Sequence, residues 1–121
     1  MASEGLHEAR ELLDASTVDR HRAIISLQEE LEAIDWYDQR VSATDDTSLA
    51  EVLAHNRDEE KEHAAMTLEW LRRKDPALDR NLRQYLFTSA PVTEVEEEIE
   101  EDPDPSMGGS SLGIGSLKGS E

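Results

Sequence analysis

Two long stretches of helical periodicity, separated by four polar residues, constrain this chain more than any other feature. With Ile24 as origin and about 100° per residue, Ala23, Leu27, Leu31, Ile34 and Val41 fall on one stripe with it. That pattern predicts a helix from about Val18 to Ala43, with Ser16 or Thr17 as N-cap. Thr44-Asp45-Asp46-Thr47 follows as a polar turn, short enough to make the flanking helices antiparallel neighbours. Ser48 and Glu51 form a capping-box signature for a second helix, which should run to Lys74. Arg72, Arg73 and Lys74 suit its negative end. On this helix Leu49, Val52, Leu53, Trp70 and Leu71 lie within roughly 60° of one line.

Two polar residues share that second stripe. Glu60 and His63 sit at about 20° and minus 40° from Leu49, where burial is costly unless something pairs with them. On the first helix Glu30 lies on the flank of the stripe, while Glu29 and Glu32 face away from it. One explanation is structural: an interhelical hydrogen bond or ion pair, with Arg57 or Arg40 as partner. The other is a metal site. A Glu-x-x-His pair at i, i+3, facing a carboxylate on the neighbouring helix, is how helix bundles hold carboxylate-bridged metal pairs. Oxygen-rich coordination with one imidazole per metal suits iron or manganese, whereas zinc would more often show further His or Cys ligands. Such a centre needs a Glu from each of two helices and a Glu-x-x-His from each of two more. The chain offers half of that set. Two copies about a two-fold axis would supply the whole of it.

Composition points the same way. Of 121 residues, 29 are acidic and 12 are Lys or Arg, so no basic groove is available for nucleic acid and no basic face for anionic lipid. No apolar run approaches the roughly 20 residues needed to span a bilayer, and no secretory leader is expected. The lack of cysteine leaves neither disulfides nor thiolate metal sites and favours the cytoplasm. One Phe, two Tyr and two Trp make a thin core for a monomer, and oligomerisation is the expected remedy. Trp36 and Tyr37 are expected to pack, with Tyr37 near enough to the stripe to hydrogen-bond an inward carboxylate. His7, His21 and His55 are expected at the surface. Glu29 and Glu32 form a solvated acidic face, or draw cations toward the site.

Beyond the hairpin, Asp75-Pro76 stops the second helix or starts a short one over Ala77 to Leu86. Leu78, Leu82, Tyr85 and Leu86 give that piece an apolar face. Glu94 to Asp104 reads as a self-repelling acidic linker, continued by a Gly/Ser-rich stretch. Leu112, Ile114 and Leu117 then stand among small residues. Three aliphatics cannot form a core, so they are expected to dock in a partner's groove. Residues 1–15 form an N-terminal segment, 16–90 the helical domain, 91–110 a flexible linker and 111–121 a docking peptide.

His21-Arg22-Ala23-Ile24, Glu29-Glu30-Leu31-Glu32-Ala33-Ile34-Asp35-Trp36-Tyr37 and His55-Asn56-Arg57-Asp58-Glu59-Glu60-Lys61-Glu62-His63-Ala64 closely resemble the encapsulated ferritins, cargo proteins of encapsulin nanocompartments. The resemblance covers about residues 16–90 and returns at Ser111 to Lys118, which is similar to the encapsulin-targeting peptide. It implies an all-α fold: an antiparallel two-helix hairpin with a short C-terminal helix, forming a ferritin-like four-helix bundle by homodimerisation, and assembling into a ring-shaped homodecamer. It implies a ferroxidase that oxidises Fe(II) with dioxygen at a shared di-iron centre and leaves iron storage to the shell. Glu30, Glu60 and His63 match its iron ligands; Glu60 is expected to bridge, since a carboxylate from the Glu-x-x-His helix can reach both metals. Glu29 and Glu32 match carboxylates where iron or other divalent cations enter, and Trp36 and Tyr37 match residues beside the centre. The setting implied is cytoplasmic, inside the compartment. The alternative is a non-catalytic metal-binding or structural cargo protein.

Overall fold

The computed structural model describes residues 5–101. Among them the regular structure is entirely helical: a short 3₁₀ turn at Arg10–Leu12, then α1 (Ala15–Ala43), α2 (Thr47–Lys74), α3 (Pro76–Tyr85) and α4 (Val92–Glu101). The all-helical class and the hairpin are as the periodicity predicts. The chain divides into two compact units, one ending at Lys74 and the other beginning at Asp75.

In the first unit α1 and α2 pack against each other through a turn of only three residues. The start of each helix is set by an aspartate. Asp14, extended in backbone, accepts the Thr17 amide at 2.8 Å and the Ser16 hydroxyl at 3.0 Å. It therefore caps α1 in place of the expected Ser16 or Thr17. Asp46 accepts the Leu49 amide at 3.0 Å and the Ser48 hydroxyl at 2.9 Å, so Ser48 supports the cap of α2 rather than forming it. A carboxylate that accepts such hydrogen bonds favours its ionised form. Bonds from Thr17 hold Asp14 below its ordinary value, and the Leu49 amide does the same for Asp46.

Packing between two helices buries only part of either stripe. Leu71 and Ala64 are buried, and Ala23, Leu27, Ile34, Val41 and Leu53 are half-buried. Ile24, Leu31, Leu49, Val52 and Trp70 remain exposed. The expected packing of Trp36 is not seen either: the residue is 48% exposed. The physical cause is geometric. An apolar stripe wider than about 100° of helix surface cannot be covered by a single neighbouring helix.

In the second unit Asp75 caps α3 by accepting the Leu78 amide at 3.0 Å, with Pro76 in the first turn. Phe87, just beyond α3, adopts a φ of 66°, the left-handed region common after helix C-termini. The acidic stretch expected as linker contains α4. Val92, Val95 and Ile99 recur at 3 and 4 residues, and Val95 is buried. Amphipathic spacing outweighs the repulsion of the intervening glutamates. Residues 111–121, with Leu112, Ile114 and Leu117, lie outside the described residues.

Candidate metal centre

An open cleft of about 300 Å³ lies between the helices of the hairpin, lined by Ser26, Glu29, Glu30 and Ala33 of α1 and by Glu60 and His63 of α2. These α1 positions are three or four residues apart and so share a face. Ser26 and Ala33 are small, which leaves room where two ordinary side chains would fill the groove. The structure thus brings together the three residues nominated from periodicity. It also brings in Glu29, which the periodicity had turned away. Glu32 is exposed and does not line the cleft.

Glu30 carries the most informative geometry. Its Oε2 accepts a hydrogen bond from the Thr67 hydroxyl at 3.3 Å. Its Oε1 is buried and has no hydrogen-bond partner among the described residues. An unpaired buried polar atom costs about 1–3 kcal/mol, more for a charged group, and such atoms are rare in native proteins. A cation is the partner that a free carboxylate oxygen beside a second carboxylate and an imidazole best accommodates. On α2, His63 Nδ1 stands 3.6 Å from Glu60 Oε1.

The purely structural explanation of Glu60 and His63 needed a nearby cation, and both candidates are engaged elsewhere. Arg57 bonds Asp38 across the hairpin at 3.0 Å and Asp58 at 3.2 Å, and the Asp38 bond first of all raises its pKa. Arg40 lies over the Tyr37 ring at 5.5 Å. Tyr37 is half-buried, and among the described residues its hydroxyl reaches no carboxylate. His55 is paired loosely with Glu59 at 3.8 Å on the exposed side. His21 is half-buried rather than fully exposed.

Among the described residues no three His, Asp or Glu side chains of the one chain converge as a complete metal-holding group. The donor set is nonetheless the right chemistry: two carboxylates and one imidazole, one member with an orphaned oxygen. Sequence reasoning missed Thr67 and the small residues Ser26 and Ala33. Thr67 was findable, because it stands four residues beyond His63 and seven beyond Glu60 on the same helix face.

A helical hairpin with an inward Glu on one helix and Glu-x-x-His on the other defines a ferritin-like protein. The chain belongs to the EncFtn-like family, whose model matches residues 5–89. It is 54% identical to the encapsulated ferritin-like protein of Rhodospirillum rubrum, in an alignment covering 98% of this chain and 91% of that one. The encapsulin nanocompartment cargo protein EncC of Myxococcus xanthus is 40% identical over 43% of this chain and 40% of its own length. Among solved structures, protein ne0167 of Nitrosomonas europaea superimposes with a TM-score of 0.70 at 61% identity, covering 73% of this chain and 97% of that one.

Proposed function

We propose that this protein is a ferroxidase that oxidises Fe(II) to Fe(III) with dioxygen, at a di-iron site shared by two copies of the chain, as cargo of an encapsulin compartment. The observation that carries the reading is the buried, unpaired Oε1 of Glu30 in a cleft shared with Glu60 and His63. Iron is the substrate here. Glu30, Glu60 and His63 of each copy would hold it, with Glu60, on the Glu-x-x-His helix, as the bridging ligand.

The chemistry follows from the charge of the donors. Carboxylates favour the ferric ion over the ferrous ion, since the attraction grows with the charge of the cation. Two Fe(II) give up one electron each, and one dioxygen takes those two electrons with two protons from solvent to become hydrogen peroxide. The neutral imidazole adds a ligand without further negative charge, and Glu29 and Glu32 supply a negative potential that attracts divalent cations. Two copies are required because one chain contributes two helices of the four, and Ile24, Leu31, Leu49, Val52 and Trp70 are left exposed for the second copy to cover. Assembly into a ring of dimers, and docking to the shell through Leu112, Ile114 and Leu117, complete the reading. The names of the Rhodospirillum and Myxococcus relatives support the compartment. None of the described helices is long and apolar enough to cross a membrane.

The test is direct. Fe(II) added anaerobically to the full chain, followed by air, should give oxygen uptake and ferric absorbance well above those of Fe(II) in buffer. Bound iron that stays ferrous in air would leave only a metal-binding cargo protein.

A further inference from the structure

Among the described residues, the hydrogen bonding of Glu30 leads to Thr67. The two lie 37 residues apart on different helices, and the Thr67 hydroxyl donates across the hairpin to Glu30 Oε2 at 3.3 Å. A threonine in mid-helix can instead give its hydroxyl proton to the carbonyl one turn back; here it crosses to α1. The two oxygens of Glu30 are thereby made unequal. One has a donor, and the other is buried and bare.

We propose that Thr67 is a positioning residue of the metal site: its hydroxyl holds Glu30 Oε2 and so presents Oε1 as the atom that takes the cation. This rests on the reading of the cleft as a metal site. The placement supports it. Thr67 is one turn from His63 along α2, so the residue that orients the α1 carboxylate is carried on the helix that carries the imidazole. Movement of α2 relative to α1 would then shift both donors together. Without the hydroxyl, the carboxylate can rotate about its last bond, and both oxygens compete for one position. Loss of such an outer partner typically costs about 10- to 100-fold in metal affinity.

The full chain, its Thr67→Val, Thr67→Ser, Glu30→Gln and His63→Ala variants, and Co(II) as an air-free redox-inert probe provide the test. Affinity is read by calorimetry, and ligand geometry by the visible absorption of bound Co(II). Thr67→Val keeps the shape and loses the hydroxyl, so it should bind about 10- to 100-fold more weakly with an altered spectrum. Thr67→Ser restores the donor and should recover both. Wild-type affinity and spectrum in Thr67→Val, while Glu30→Gln is impaired, would overturn the role of Thr67 and leave the site standing. Wild-type binding in both Glu30→Gln and His63→Ala would overturn the site itself, and this role with it. If Thr67→Val lacks native helicity by circular dichroism, Thr67→Ala takes its place with the same two outcomes.

Discussion

His63 Nδ1 lies 3.6 Å from Glu60 Oε1, one helical turn away on α2, with the imidazole 48% exposed and the carboxylate 28%. That separation exceeds a hydrogen bond between nitrogen and oxygen, so each group keeps a lone pair uncommitted to the other. Both point into the cleft that holds Glu30. Neither group is spent on the other.

Removing either donor should therefore abolish chemistry more than structure. His63→Ala and Glu60→Ala are expected to slow oxygen-dependent Fe(II) oxidation by more than about 100-fold, above the loss typical of an outer partner. Helicity by far-ultraviolet circular dichroism should stay near wild type, because neither side chain is buried. Full oxidation rates in both variants would rule out this assignment of ligands.

Exposed apolar groups on the hairpin make a second prediction. Leu31 is 53% exposed in the single chain and follows Glu30 directly. Leu31→Asp should spare the hairpin but place a charge on the surface that a second copy would cover under the proposed pairing. Light scattering should show a shift toward smaller species, and oxidation should fall although Glu30, Glu60 and His63 are untouched. An unchanged mass would mean that Leu31 lies on no face through which copies meet.

A third prediction concerns acid. Arg72 donates to both oxygens of Glu69 at 2.8 Å, and Arg73 to one at 2.7 Å. These hydrogen bonds, those from Arg72 first, depress the Glu69 carboxyl from 4.5 to about 2. A depressed folded-state pKa gives stability that is full above the unfolded value and lost as pH falls through the folded one. Glu69→Gln should thus be less stable than wild type at pH 7, by a modest margin because the group is exposed. Urea unfolding across the window from 4.5 to about 2 should show the margin shrinking. A margin that grows toward acid would contradict the sign.

The last prediction separates address from activity. Deleting residues 111–121, which removes Leu112, Ile114 and Leu117, should abolish co-purification with encapsulin shells and leave Fe(II) oxidation by the free protein intact. Truncated chains recovered inside shells would place the docking determinant elsewhere.

Much of this was legible in order of residues alone. The period of Ala23, Leu27, Leu31 and Ile34, and the presence of Glu60 and His63 on the stripe of α2, gave the hairpin and named three cleft residues. The caps were harder. Asp14 and Asp46 prevail over the hydroxyl residues that follow them because one carboxylate accepts an amide and a hydroxyl hydrogen bond together. The helix at Val92–Glu101 was hidden by its charge: counting glutamates obscured the spacing of Val92, Val95 and Ile99. Glu29 is exposed, as its angle on the helix predicts, yet still lines the cleft, because an open groove between two helices is wider than a single angular stripe.

Sequence by itself determined the helical hairpin and the chemical identity of the inward polar groups, because periodicity and side-chain type are local properties. Only the tertiary structure decided that Arg57 is spent on Asp38 across the hairpin, that Thr67 reaches Glu30, and that one oxygen of Glu30 is left buried and unpaired. Those facts depend on how far apart two helices settle and which side chains meet across the gap, and no residue carries that distance in its own neighbourhood of the chain.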